Sequence, residues 1–375
     1  MGDKKERGLD DFAIKFIKKH NELNAIISNI FADNPRKLIL GIRNNYINIY
    51  HKCSNVMKIP IGKRGIKKPE IDSKYKKRLA DKYQKSMYHI DKKDINSSFI
   101  EKEMIDIIDD YLKNDKNTAE KELQHTIIIK NNKIVNAKWF CVDLEYEIHR
   151  NDGKDRFFGR QDIIAISREK NDKYKIAIIE LKVGLGAFKK TRGISDDEIK
   201  RFINRGEKLN LDDKSFYDLG SGIVGHFSNF VRYLDDVKYR DNMSRFEILK
   251  SDMVNILKSY EQLGYGDEEF KDFARNIAVD QILDYPEIIF LVYSDKNGKN
   301  LAEIKEEFKK YVFKDSSEIS IEKLWDDDVL NNYNGKNGTR EPIKVIFRDS
   351  KHQGLLFSDF EISEAKNIFD EEAYK

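Results

Sequence analysis

The sequence predicts an α/β (α+β) protein, and three observations carry that prediction. Several stretches repeat apolar residues at helical spacing. Others alternate apolar and polar residues, or run apolar over a short span bounded by turn residues. From about residue 97 the two kinds interleave, in the order helix, three or four antiparallel strands, helices, then a further strand.

Leu9 to Phe31 places Phe12, Phe16, Ile26, Ile27 and Ile30 at helical spacing and predicts a leading helical segment. Leu38 to Ile59 alternates instead, with turns expected at Asn44-Asn45 and around Cys53-Ser54-Asn55, so a small antiparallel hairpin or meander follows. Lysines and arginines crowd Lys58 to Arg64, Lys67-Lys68 and Lys74 to Arg78, and Lys82 to Lys93 continues the run with Tyr83 and Tyr88 interleaved. This basic stretch reads as a linker or polar excursion, serving either as a nucleic-acid surface or as a solvated face.

A helix is expected from Ser97 or Ser98. Ser98 and Glu101 have capping-box spacing, and Ile100, Met104, Ile107 and Tyr111 form a stripe. Strand-like runs follow at His125 to Lys130, Lys138 to Ile148, Asp162 to Arg168 and Lys175 to Val183, with Asn131-Asn132 and Asn171-Asp172 as hairpin turns. Ser195 caps a helix with an acidic first turn. Further helices are expected over Ser221 to Leu234 and Phe246 to Gln262. The apolar run Glu287 to Ser294 predicts a buried strand, and Leu301 to Phe313 and Ile343 to Phe357 add a helix and at least one strand.

The chain has 375 residues, 39% hydrophobic and 36% charged, which suits a folded protein with a highly charged surface. Its 69 basic and 66 acidic residues leave a net charge of only +3, so attraction to a polyanion has to come from local clusters. Cys53 and Cys141 are too few for a disulfide framework or zinc site, which fits a reducing cytoplasm. The N-terminus lacks an apolar signal core, and no apolar run reaches the roughly 18 residues that cross a bilayer, so no membrane partner is expected.

The most informative segment is the strand KIAIIELKVG. Its alternation puts Ile178, Glu180 and Lys182 on one face of an otherwise apolar strand. Burying either charge alone costs several kcal/mol, so the pair needs a partner or opens onto a site. The preceding strand begins at Asp162, and a hairpin brings Asp162 and Glu180 to the same end of the sheet. Converging carboxylates call for a cation, and two oxygen ligands let Mg²⁺ keep waters and take a substrate phosphate, with Mn²⁺ as a substitute. Lys182 then stands beside the metal to orient water or meet developing charge. Glu-x-Lys recurs in several expected helices, so the strand context carries the signal; the alternative is a structural ion pair.

Asp162, a hairpin and Glu180-Leu-Lys182, with a helix before and helices and a strand after, resemble the PD-(D/E)XK nuclease superfamily over roughly residues 97 to 294. DLEYEI from Asp143, GRQDIIAI from Gly159 and SGIVGHFSNF from Ser221 are similar to blocks in poorly characterised bacterial members, as is the upstream LGIRNNYINIY. The resemblance implies a restriction-endonuclease-like core: a central mixed sheet flanked by helices, with an N-terminal helix and hairpin region. It implies metal ligation by Asp162, Glu180 and the Leu181 carbonyl, with Lys182 as the catalytic lysine.

Such families often add a carboxylate from the first core helix, a position Glu103 fits by its spacing from Ile100 and Ile107. Glu145, which shares a strand face with Asp143, either supplies that carboxylate or bonds a basic group on the next strand. His226 falls on the apolar face of its helix with Ile223, Phe227 and Phe230, as a catalytic residue or a hydrogen-bonded core residue. Arg160 contacts phosphate or forms an ion pair. The segment from Gly184 to Gly220 is long for the family. It inserts a helix on which Lys200, Arg201, Arg205 and Lys208 form a phosphate-binding or merely soluble face.

The expected organisation is an accessory region over 1–96, a nuclease core over 97–300 and a C-terminal extension over 301–375 that packs on the core. The expected function is metal-dependent phosphodiester hydrolysis, of DNA more than RNA, with restriction or phage defence suggested by family analogy alone. Cutting both strands of a duplex calls for a homodimer, for which no interface signature is visible. The competing expectations are a silent or partner-activated nucleic-acid-binding subunit of the same fold, and a basic N-terminal stretch that recruits a partner enzyme.

Overall fold

The computed structural model of the protein describes residues 7–32, 37–72, 75, 96, 98–113, 118–132, 139–149, 157–167, 173–189, 193–211, 219–235, 243–294, 300–316, 318–335, 340–349 and 364–375. The chain forms two compact units, Met1–Lys133 with Ile248–Gln281 and Ile134–Glu247 with Ile282–Lys375.

The leading helical segment is two helices, α1 (Asp11–Lys19) and α2 (Asn21–Phe31). Asp10 caps α1 by accepting from the Ala13 N–H at 2.7 Å. His20 ends α1 and caps α2, its Nδ1 accepting from the Leu23 N–H. Strands β1 (Ile39–Ile42), β2 (Tyr46–His51), β3 (Ser54–Gly62) and β4 (Gly65–Ile66) follow as an antiparallel meander. Its second turn is Lys52-Cys53, one residue earlier than the expected region, with both residues left-handed (φ 47° and 50°), as a two-residue hairpin turn requires. Lys58 to Ile66 is strand on either side of a turn at Lys63-Arg64 and not polar excursion, because Ile59, Ile61 and Ile66 carry the buried face onward. Lys82 to Lys93, with Tyr83 and Tyr88, lies outside the described residues.

The helix expected from Ser98 begins as a π-helical turn, Phe99–Met104, before α3 (Ile105–Leu112). The capping box is absent. Ser98 already has helical backbone angles and makes no capping bond, while Asn96 accepts from the Phe99 N–H at 2.9 Å. The strand expected over His125 to Lys130 is instead the second half of α4 (Thr118–Asn132), so Asn131-Asn132 ends a helix rather than turning a hairpin. The isoleucine triplet looks like a strand locally. The run of Ala, Glu, Lys, Leu and Gln before it propagates the helix through it.

Next come the antiparallel strands β5 (Trp139–His149), β6 (Phe157–Ser167) and β7 (Ile176–Val183). The Asn171-Asp172 turn lies outside the described residues. Helix α5 (Asp196–Asn204) starts at Ser195, whose hydroxyl accepts from the Glu198 N–H. It is followed by α6 (Ile223–Asp235), α7 (Arg245–Gln262) and α8 (Glu268–Asn276). Strand β8 (Glu287–Tyr293), helices α9 (Leu301–Lys310), α10 (Ile321–Leu324) and α11 (Asp327–Tyr333), and strands β9 (Lys344–Arg348) and β10 (Lys366–Asn367) complete the chain.

The first unit contains the four-stranded meander. The second contains a mixed six-stranded sheet in the order β10-β9-β8-β7-β6-β5, with β7–β8 and β8–β9 parallel and the other pairs antiparallel. Strand β8 is buried along its whole length and β7 along all but its last residue, Val183, as a near-continuous apolar run flanked on both sides demands. Among the described residues no helix is long and apolar enough to cross a membrane. Both cysteines are free thiols, and both are buried.

In the first unit His125 is buried on α4, with its Nδ1 facing the Cys53 N–H. Burial, aided by the neighbouring His51 and opposed by a hydrogen bond to the Lys37 backbone, pulls its pKa from 6.5 to about 3. The unfolded chain therefore takes up a proton below about pH 6.5 that the folded state declines until about pH 3, and stability falls as pH is lowered through that window. His125→Gln is expected to flatten urea-unfolding stability against pH by roughly 1 kcal/mol per pH unit there. Equal slopes in mutant and wild type would show that His125 is not buried in neutral form.

Candidate functional site

The site candidates meet where β6 and β7 part. The two strands pair from Ile166↔Ile176 to Ile163↔Ile179, and one register step further stand Asp162 and Glu180. There the Leu181 N–H, which a continuing ladder would give to a β6 carbonyl, goes to Asp162 Oδ2 at 2.7 Å. A side-chain carboxylate has taken the place of a backbone acceptor. The strand interruption and the fixed direction of Asp162 are thus one event, and a charged acceptor on a backbone N–H makes a strong bond.

Glu180 and Lys182 lie on one face of β7, as their alternation predicts, and their side chains are only 3% and 5% exposed. Lys182 Nζ donates to Glu180 Oε1 at 2.6 Å. His226 Nε2, from α6, lies 3.0 Å from the same oxygen. An ionised carboxylate only accepts, so this contact is a hydrogen bond in the tautomer that carries the ring proton on Nε2. Burial, reinforced by the Lys182 ammonium, holds the His226 pKa well below its usual value, while the Ser221 backbone carbonyl works in the opposite direction.

The sequence around His226 explains how the start of α6 packs on the turn that precedes it. A Cβ on Gly225 would lie 2.2 Å from the Gly220 carbonyl oxygen, so a side chain there would drive the Leu219–Gly220 backbone off the helix. Gly220 is left-handed at φ 81°. Behind this contact the helix is pinned by the Trp325 indole N–H donating to Ser228 Oγ, and by Tyr333 OH donating to the Val231 carbonyl. Phe227 packs against Trp325, Tyr333 and Phe369, and Phe230 packs edge-on to Phe290 at 5.7 Å. Phe290 is the β8 neighbour of Glu180. Sequence reasoning missed Ser228, Trp325 and Tyr333 as supports, since nothing in the chain's periodicity links residues about a hundred positions apart.

The other candidates are placed differently. Glu145 has a left-handed backbone (φ 51°) inside β5, between two irregularities of the β5–β6 register, and its carboxylate pairs with Arg160 at 3.3 Å. Glu147 meets the same guanidinium at 2.9 Å, so Arg160, though 59% exposed, is an ion-pair member, one of its two expected fates. Asp143 is buried, its Oδ1 accepting from the Leu144 N–H at 2.8 Å.

Glu103 belongs to the first unit and is half-buried on the π-helical turn. The wider π turn rotates each residue by less than an α-helix does, so the spacing that aligned Glu103 with Ile100 and Ile107 does not hold there. On α5, Lys200, Arg201 and Arg205 are exposed while Ile199 and Phe202 are buried. Arg205 pairs with Glu207, and Lys208 donates to the Glu322 carbonyl.

Asp162 and Glu180 are hard oxygen donors on neighbouring strands, which suits a Mg²⁺ held by two carboxylates and otherwise by water or phosphate. Among the described residues no group of three or more His, Cys, Asp or Glu side chains is arranged to hold a metal. The chain matches no protein-family model, no curated protein and no solved structure.

Removing one partner of a buried ion pair strands the other charge. Lys182→Met is expected to cost about 3 kcal/mol of unfolding free energy, with most of it recovered in the double variant Glu180→Gln/Lys182→Met. Strictly additive losses in the double variant would rule out coupling between the two side chains.

Proposed function

We propose that the protein is a metal-dependent nuclease with a restriction-endonuclease-like core of the PD-(D/E)XK kind, acting on DNA in preference to RNA. The observation that carries this reading is the break between β6 and β7, with Asp162 directed onto the Leu181 N–H and Glu180 and Lys182 paired one step away. A mixed sheet with these residues on its central strands supports it.

In this reading Asp162 and Glu180, with the Leu181 carbonyl, hold Mg²⁺, or Mn²⁺ in its place. The bound ion supplies Lewis-acid polarisation of the scissile phosphate. Asp162 is oriented by its bond to the backbone, so its ligating direction is fixed before substrate arrives. Lys182 brings a positive charge to the same point, where it orients the attacking water or meets charge developing on the phosphate. The apolar walls of the central strands keep the local dielectric low, which strengthens each of these interactions. Restriction or phage defence is the setting that family analogy suggests, and a homodimer is the assembly that double-strand cutting calls for.

The test is cleavage of plasmid, linear and single-stranded DNA and of RNA by wild type and Glu180→Ala, with Mg²⁺, Mn²⁺ or EDTA. Metal-dependent cutting that falls by at least about 100-fold in the variant is expected. Salt-sensitive nucleic-acid binding with no cutting under any metal would replace this reading with that of a silent or partner-activated binding subunit.

A further inference from the structure

Two nitrogens from two different elements close on one oxygen of Glu180. Lys182 reaches Oε1 from two residues along the same strand, and His226 reaches it from α6. Lys182 answers the carboxylate's charge, and a second nitrogen on an independent element, 3.0 Å from the same oxygen, stands where a hydrogen bond restricts the side chain's direction. The surroundings make that direction rigid. His226 packs beside Phe230, Phe230 packs on Phe290, and Phe290 lies next to Glu180 across the β7–β8 ladder, so helix and sheet form a closed circuit of contacts. The far side of α6 is held by Trp325 and Tyr333.

We propose that His226 is a positioning residue for a divalent cation at Asp162 and Glu180: by holding Oε1 it aims the Glu180 carboxylate at the ion. This rests on the metal-site reading above but adds a residue that touches neither metal nor substrate. Hydrogen bonds to a ligating carboxylate fix its orientation, and their loss typically weakens metal binding by about 10–100-fold.

The experiment measures Mn²⁺ affinity of the full chain by electron paramagnetic resonance of unbound Mn²⁺, without nucleic acid. The proteins are wild type, His226→Ala, His226→Gln and Glu180→Ala, with thermal unfolding recorded in parallel. Loss of the site in Glu180→Ala is expected, together with a Kd raised about 10–100-fold in His226→Ala. Recovery of most of that affinity is expected in His226→Gln, whose amide nitrogen offers a donor at nearly the same place.

An unchanged Kd in His226→Ala beside loss in Glu180→Ala overturns the positioning role and leaves the metal site standing. Equal weakening in both His226 variants, folded or unfolded, also overturns it, because the donor is then not what matters. Wild type without a saturable site, or with one that Glu180→Ala retains, overturns this inference together with the metal-site reading.

Discussion

A single buried carboxylate organises the second unit. Glu180 sits in the middle of the sheet, on a strand whose neighbours are isoleucine, leucine and alanine, where an unanswered charge would cost several kcal/mol. Lys182 cannot answer it without being buried as well, and α6 brings His226 to within 3.0 Å of the same oxygen. The indole bond to Ser228 and the aromatic packing around Phe227 and Phe230 hold α6 there.

The parting of β6 from β7 has the same logic. A backbone N–H inside a sheet must have an acceptor, and where the ladder stops the molecule provides one from a side chain. Asp162 meets that need, and the consequence is a second carboxylate held in a fixed direction beside Glu180. Backbone satisfaction and the fixed direction of the Asp162 carboxylate are thus achieved by one hydrogen bond. A separate ion-pair group at Arg160, Glu145 and Glu147 occupies the neighbouring edge pair, where exposure weakens each bond.

Where sequence reasoning went astray, the reason is local ambiguity. Ile127 to Ile129 satisfy a strand pattern, yet they continue α4 because the preceding residues favour helix. Ser98 and Glu101 satisfy a capping pattern, yet the first turn is π-helical and Asn96 is the residue that receives an N–H. Lys58 and Lys63 suggested a polar linker, whereas alternation keeps the isoleucines between them on the buried face. The two units are also discontinuous in sequence, and the limit between Glu247 and Ile248 falls inside α7.

By itself the sequence determined the strand that holds Glu180 and Lys182, the existence of the strand that holds Asp162 though not its start at Phe157, the helix cap at Ser195, and the shared face of Glu180 and Lys182. These follow from periods of two and 3.6 residues and from short-range hydrogen bonds, which a linear string records. Tertiary structure alone decided that Asp162 bonds the Leu181 N–H, that Arg160 draws Glu145 into an ion pair and that His226 rather than solvent meets Glu180. It also decided that a tryptophan some hundred positions away holds the helix carrying that histidine. Each of these depends on distances between chain segments remote in sequence, and those distances are set by how the core packs.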